Sequence, residues 1–131
     1  MTPSPASDVP VSDAHRRAGI AAHAADEKKG EEIVVLDVGD ILSIAEAFVL
    51  VSASNTRLVR TIVDEVELAL KLSDDEGPRS VEGLNDATWV LMDYGDVIVH
   101  VFVAETRAYY DLDRLWADAP TVEWTALPAY T

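Results

Sequence analysis

The sequence contains no cysteine among its 131 residues. Disulfide bonds, a catalytic thiol and a thiolate metal site are therefore excluded, and cysteine usage says nothing about the redox compartment. No apolar run approaches the roughly 20 residues that cross a bilayer. Residues 1–12 lack the basic start, apolar stretch and small-residue cleavage site of a secretory signal, so we expect a cytoplasmic protein that does not enter a membrane.

Basic residues are also scarce, since 10 lysines and arginines stand against 24 acidic residues and the net charge is -14. The charge is balanced over residues 1–30, whereas residues 31–131 hold six basic and twenty acidic side chains. Nucleic acids and anionic membranes bind basic surfaces, so we expect neither as a specific partner. A basic protein partner suits this surface. The alternative is that the acidity only maintains solubility.

Motifs for phosphate and metal binding are missing as well. The sequence has no G-x-x-x-x-G-K-[ST] loop, no G-x-G-x-x-G, and no histidine pair arranged with a glutamate as on a zinc hydrolase helix. Asp111 and Asp113 have the spacing of a carboxylate pair for a divalent cation, but an aspartate at a helix start commonly caps the helix. Asp37 and Asp40 flank a glycine, as aspartates in turns commonly do. We therefore predict no cofactor and no bound metal.

The length and the apolar content of 49% indicate a single domain with one core. Three prolines and little apolar material predict a disordered lead-in over residues 1–12. Pro120 and Pro128 predict an irregular tail over residues 119–131. The domain itself is therefore expected at residues 13–118.

Hydrophobic periodicity predicts alternating helices and strands within this domain. A first helix, capped by Ser12, carries a stripe of alanines and ends where Gly30 can take the left-handed exit. Residues 33–38 and 48–53 predict strands buried on both faces, with one helical turn around residues 42–45 between them. The remaining predicted elements are a helix over 55–72, strands at 79–81, 88–93 and 96–103, and a closing helix over 109–116. This order predicts an α/β fold, with a mixed sheet of about five strands and helices packed on it.

The last two long strands are close enough in sequence for a tight hairpin with Tyr94 and Gly95 at its turn. Asp93 would then pair with Asp96, and Trp89 with His100. Alternation assigns the side chains to two faces of the sheet. One face is apolar and must be core: Val90, Met92, Val97, Val99, Val101 and Val103. The opposite face is mixed: Trp89, Leu91, Ile98, His100 and Phe102.

The mixed face is a candidate docking surface, because tryptophan is the residue most enriched in interface hot spots. The alternative is that a helix covers this face and that His100 is an ordinary core histidine with its polar atoms satisfied.

Several longer stretches form a recognisable pattern. They are residues 24–30, 33–38, 42–45, 48–49 and 52–56, then Glu82-Gly83-Leu84, the run from Trp89 to Phe102, and Arg107, Tyr110, Asp111, Leu112, Leu115 and Trp116. Together they resemble the Iojap-like ribosomal silencing factor family, and the resemblance extends to Pro120.

The resemblance implies a topology similar to nucleotidyltransferases without their catalytic machinery, so no enzymatic activity is expected. It also implies binding to the large ribosomal subunit through ribosomal protein fourteen of that subunit. Steric blocking of small-subunit joining would then repress translation under nutrient limitation. The alternative is a degenerate metal-dependent nucleotidyltransferase that uses Asp93, Asp96, Asp111 or Asp113.

Candidate partner-binding residues lie on the hairpin and on the segment behind it. Aromatic side chains would supply the buried contacts, and two aspartates beside the turn would supply carboxylates for lysines or arginines of the partner. Exposed aromatics are costly in a free protein, so we expect a homodimer that covers the patch and competes with the ribosome. The expected patch is contiguous and consists of Trp89, Asp93, Tyr94, Asp96, His100, Phe102, Arg107 and Tyr110.

Overall fold

The structure is a computed structural model that describes residues 12–129. Apart from Ser12, the predicted disordered lead-in lies outside the described residues. The helices are α1 (Asp13–Glu27), α2 (Thr56–Asp74), α3 (Ala104–Tyr110), α4 (Leu112–Leu115) and a 3-10 helix at Trp124–Ala126. The strands are β1 (Glu31–Asp37), β2 (Ala47–Ala53), β3 (Ser80–Glu82), β4 (Trp89–Asp93), β5 (Val97–Val103) and β6 (Thr121–Val122).

The strands form one mixed sheet in the order β3-β4-β5-β2-β1-β6. β2 and β5 run parallel, and all other neighbours are antiparallel. The predicted α/β fold with a mixed sheet is therefore confirmed. The strand count is six because the segment predicted to be an irregular tail contributes β6, in which Val122 pairs with Val35. A two-residue strand is too short to show a hydrophobic period, so the prolines dominated the prediction.

The two long helices cover one face of the sheet and close the main core. Asn55 begins α2 as predicted, because its side chain accepts a hydrogen bond of 2.8 Å from the backbone N–H of Leu58. The predicted alanine stripe of α1 is buried, and α2 buries an apolar stripe against the same sheet face. The buried residues are Ala14, Ala18, Ala21 and Ala25 of α1, and Val59, Ile62, Val63, Val66 and Leu70 of α2.

Strand β2 lies in the middle of the sheet, and all seven of its residues are buried. The prediction of burial on both faces is confirmed for β2. In β1 it holds for Val35 and Leu36 but not for Ile33 and Val34, which are only half-buried, and the strand begins two residues earlier than predicted, at Glu31. The helical turn predicted at 42–45 is also wrong. The chain turns earlier, where the N–H groups of Ile41 and Leu42 both donate to the carbonyl of Val38.

Gly30 does not have the left-handed backbone that was predicted for the end of α1. Lys29 is the residue with a left-handed backbone, at φ 67°. Gly30 is needed for space, because a Cβ there would lie 2.7 Å from Cγ1 of Val51 and 2.9 Å from the carbonyl oxygen of Ala25. The missing side chain lets α1 pass close to the central strand.

We expect the substitution Gly30→Ala to lower the free energy of unfolding by about 1–3 kcal/mol, because the new methyl group overpacks the junction of α1 and β2. Gly77→Ala is a matched control, since a Cβ there would meet nothing within 4 Å. The control should change stability by less than about 1 kcal/mol. Urea unfolding of the three proteins measures both effects, and equal midpoints for Gly30→Ala and wild type would contradict the packing argument.

Candidate docking face of the sheet

The β4–β5 hairpin turns one residue later than predicted. The N–H of Tyr94 donates to the carbonyl of Val97 at 2.9 Å, so Gly95 and Asp96 form the two-residue turn. Gly95 has φ +91°, which the turn requires and which side chains disfavour. Asp93 therefore pairs with Ile98 and not with Asp96.

The corrected register places Trp89 opposite Phe102 and Leu91 opposite His100. The predicted pairing of Trp89 with His100 is thus wrong by two positions. A shift of two residues does not move any side chain to the other face. The assignment of side chains to the core face and to the mixed face is confirmed.

The mixed face is half covered. Over β2 and β5 it carries a second, smaller core that includes Phe48, Leu50 and Phe102 and is closed by side chains of the C-terminal segment, among them Leu112 and Ala119. Towards β4 the cover stops. Trp89, Leu91 and Ile98 are only half-buried there, and Tyr110 is 55% exposed. We call the five residues Trp89, Leu91, Asp93, Ile98 and Tyr110 the open face.

Trp89 is anchored by aromatic side chains next to it on the same face of the sheet. Its indole N–H donates a 3.2 Å hydrogen bond to Nδ1 of His100, and its ring lies 5.9 Å from the ring of Phe102 and 5.4 Å from that of Tyr110. Phe102 is fully buried and His100 is 7% exposed. The expectation that both are accessible in an exposed patch is therefore wrong. Both rings lie beside the indole and are covered by residues of β2 and of the C-terminal segment, among them Phe48 and Leu112.

Burial lowers the pKa of His100 to about 4, so the imidazole is neutral near pH 7. Since Nδ1 accepts the indole hydrogen bond, the proton is assigned to Nε2. That Nε2 atom is buried and has no hydrogen-bond partner within residues 12–129. Protonation would place a charge in an apolar layer, which makes this group sensitive to acid.

Arg107 is buried and does not belong to the surface. Its guanidinium donates to both carboxylate oxygens of Asp113 at 3.1 and 2.8 Å. It also donates to the carbonyl of Glu32 at 2.7 Å and to the hydroxyl of Ser52 at 2.9 Å, and it lies over the ring of Phe102. These bonds connect α3 and α4 to β1 and β2 and hold the pKa of the Asp113 carboxyl below its usual range. The expected place of Arg107 in the exposed patch is thus corrected.

The hairpin turn is held by Arg17 of α1. This buried guanidinium forms ion pairs with Asp96, Glu76 and Asp74 and lies over the ring of Tyr94. Tyr94 is buried in the main core, and burial raises the pKa of its hydroxyl. The expectations that Tyr94 lies exposed at the tip and that Asp96 is free for a partner are therefore wrong.

Three of the eight expected residues remain accessible at one place: Trp89, Asp93 and Tyr110. Asp93 accepts a hydrogen bond of 2.7 Å from the N–H of Gly95 and is half-buried. Leu91 and Ile98 complete the open face but were not among the expected contact residues. Alternation did place them on this face, and only their burial was unknown.

The four aspartates of the enzymatic alternative lie in two separate places. Asp93 and Asp96 precede β5, whereas Asp111 and Asp113 follow it, and a strand of seven residues spans about 20 Å. The prediction that the side chain of Asp111 caps a helix is wrong, because that side chain makes no capping hydrogen bond. Asp111 separates α3 from α4 with φ 49°. Within residues 12–129 no group of three or more candidate ligand side chains could hold a metal ion. In the same range no helix is long and apolar enough to cross a membrane.

Comparison with known proteins assigns the chain to a family. A family model described as ribosomal silencing factor during starvation, RsfS, matches residues 11–130. The chain belongs to this family. It is therefore a member of a class of ribosome-associated regulators of translation, and the resemblance stated from the sequence is confirmed.

Individual relatives of this ribosomal silencing factor cover most of the domain. The ribosomal silencing factor RsfS of Halalkalibacterium halodurans is 42% identical over 106 residues, which cover 79% of this chain and 88% of that protein. A crystal structure of a Chromobacterium violaceum protein has a TM-score of 0.76 at 29% identity and covers 81% of this chain and 88% of that one. A mouse protein named mitochondrial assembly of ribosomal large subunit protein 1 is 27% identical, over 69% of this chain and 40% of its own length.

The depressed pKa of His100 predicts a loss of stability in mild acid. The unfolded imidazole takes up a proton near pH 6.5 and the folded one only near pH 4. Above about pH 6.5 the imidazole is neutral in both states and does not affect the free energy of unfolding. As the pH falls towards 4, proton uptake by the unfolded state lowers the free energy of unfolding by on the order of 3 kcal/mol. The carboxyls of Asp74 and Asp113, whose pKa values are lowered by their arginine partners, contribute at still lower pH.

Urea unfolding of wild type and of His100→Gln between pH 4 and pH 7 measures this contribution. Glutamine cannot titrate but can still accept the indole hydrogen bond, so the variant should show a shallower decline over this range. Parallel profiles for the two proteins would show that His100 is not the group responsible.

Proposed function

We propose that this ribosomal silencing factor binds the large ribosomal subunit through ribosomal protein fourteen of that subunit. Bound there, it keeps the small subunit from joining by occupying the space and so represses translation under nutrient limitation. The observation that carries the proposal is the open face, a half-covered aromatic and apolar surface on a chain of this family. The name of the mouse relative, which refers to the large ribosomal subunit, supports the choice of subunit.

The composition of the open face suits a protein contact. It combines an indole, a phenol and two aliphatic side chains with one carboxylate at the edge, and aromatic residues of this kind dominate interface hot spots. The surrounding surface is acidic, with twenty acidic and six basic residues after position 30. Ribosomal proteins that contact RNA are basic, so the charges of the two partners are complementary and attract each other before contact.

The proposal divides the expected partner-binding residues into two groups. Trp89, Asp93 and Tyr110 contact the partner together with Leu91 and Ile98. The other five hold these contacts in position. His100 and Phe102 lie beside the indole, Tyr94 and Asp96 belong to the turn, and Arg107 holds the helix that carries Tyr110.

We further propose that the protein acts in the cytoplasm and by binding alone, without catalysis. Four aspartates had suggested a nucleotidyltransferase, but two pairs separated by the length of β5 cannot share one divalent cation. One carboxylate of each pair is in addition bound by a buried arginine of the same chain. A steric mechanism needs only a stable fold and a partner surface.

The contact is tested by the substitutions Leu91→Gln and Tyr110→Ala, with Leu72→Gln as a matched control. Trp89→Ala is less informative, because the loss of its hydrogen bond and ring contacts would also destabilise the fold. Each open-face variant should weaken binding to isolated large subunits by about tenfold or more, as the truncation of hot-spot residues does. Leu72 lies on the opposite side of the sheet, on α2, so its variant should bind as wild type does.

Cosedimentation with large subunits of the same species, together with the urea midpoint of each variant, measures binding and stability side by side. Wild-type binding should weaken as the salt concentration rises, mainly through slower association. If both open-face variants cosedimented with near-wild-type affinity, the open face would not be the docking surface. If wild type stayed at the top of the gradient, binding to the subunit itself would be refuted.

A homodimer of the free protein is the second part of the proposal, because a second copy can cover the same open face. Light scattering over a dilution series should then show a dimer that dissociates on dilution. Tyr110→Ala should shift the midpoint of dissociation to higher concentration, and added large subunits should compete with the dimer. A monomer at every concentration would rule out this part without affecting ribosome binding.

A further inference from the structure

The helical side of the molecule carries a groove between α1 and α2, across the sheet from the open face. Its volume is about 340 Å³. Six of its lining residues matter here: Ala24 and Glu27 of α1, and Glu65, Leu68, Ala69 and Leu72 of α2. These positions follow helical spacing, so each helix presents one continuous stripe to the groove.

Two leucines make the groove unusual for a free surface. Leu68 is 51% exposed and Leu72 is 77% exposed, one helical turn apart on the same stripe. Single exposed leucines are common in soluble proteins and need no explanation. Here a pair lies beside the small side chains of Ala24 and Ala69, which leaves room for another element to approach closely.

The charges at the groove are mostly negative. Glu27 and Glu65 line it, and Asp64 and Glu67 lie beside Leu68 in the adjoining surface of α2. Lys71 lies in the same surface, but its ammonium is paired with the carboxylate of Asp75 at 3.0 Å. Lys28 offers only a weak counter-charge, since its ammonium lies 3.9 Å from the carboxylate of Glu65. An apolar centre between acidic residues is complementary to an apolar stripe between basic residues.

We propose that this groove binds a basic amphipathic helix of a partner protein. Leucine-sized side chains of that helix would pack on Leu68 and Leu72, and lysines or arginines beside them would meet Glu27 and Glu65. This is the helix-in-groove mode of recognition. A second copy of this chain is disfavoured as the occupant of the groove, because the acidic residues that flank the groove would then face acidic residues of the other copy.

The inference goes beyond the proposed function. The groove and the open face lie on opposite sides of the sheet, so one protein molecule can bind the ribosome and the helix at the same time. The silencing factor would then connect a second protein to the large subunit.

The test uses the full chain and a synthetic, fluorescently labelled peptide of about 18 residues, or five helical turns, with leucines along one side and lysines along the other. A second peptide has glutamate in place of every lysine, and a third has the first composition in scrambled order. The key variant is Leu68→Gln/Leu72→Gln, because glutamine is nearly as good a helix former as leucine. Leu115→Gln is the matched control, a helical leucine that is 66% exposed outside the groove.

Fluorescence anisotropy should show that the double variant binds the basic peptide about tenfold more weakly or worse, while Leu115→Gln binds as wild type does. The scrambled and acidic peptides should bind weakly or not at all. If wild type and the double variant bound the basic peptide with equal affinity, the binding would be nonspecific electrostatic attraction, and the proposal would be overturned. Binding of the acidic peptide would overturn it too, as would a wild-type dimer that the double substitution abolishes.

Cosedimentation of the double variant with large subunits separates this inference from the proposed function. We expect the double variant to cosediment as wild type does, because the groove is not part of the open face. If the double variant lost the subunit while its urea midpoint stayed unchanged, the groove would be part of the ribosome contact and no separate site would exist.

Discussion

Strand β2 is buried on both of its faces, and much of the structure follows from the need to cover both. Helices α1 and α2 cover one face with a continuous apolar core. The described part of the chain, residues 12–129, has no third long helix for the other face. A short C-terminal segment with Leu112, Trp116 and Ala119 covers part of it instead. The region near β4 stays open because this cover is too small to reach across the whole sheet.

Two buried arginines hold these covers in place within an acidic chain. Arg17 joins α1 to the end of α2 and to the hairpin turn, and Arg107 joins α3 and α4 to the central strands. A buried guanidinium is tolerated only when several acceptors surround it, and each of these two has them. The acidic residues near these arginines therefore have a structural role, and the charge of the protein is not uniformly available to a partner.

The two sides of the sheet differ in kind. One side carries the open face, whose aromatic side chains contact buried rings. The other ends in a helical layer whose surface carries leucines between carboxylates. A single small domain thus presents two chemically different surfaces that do not overlap. Such an arrangement suits the two proposed binding events, since neither surface has to move for the other to bind.

Hydrophobic periodicity by itself determined the two long helices, five of the six strands and the faces of the hairpin, and the order of these elements indicated the mixed sheet. It did not determine the closing helix expected over 109–116, because the helical segment begins at Ala104 and is divided at Asp111. Val97, Val99 and Val101 had to share a face whatever the register, because side chains alternate along a strand and a shift by two residues preserves that alternation. The longer pattern of residues determined the family. Tertiary structure alone decided which residues of the mixed face are accessible. The cover over His100 and Phe102 comes from residues that follow in the chain and pack back across the sheet. Arg17 bonds to Asp96, 79 positions away, and Arg107 bonds to the carbonyl of Glu32, 75 positions away, and no local spacing connects an arginine to an acceptor at that distance.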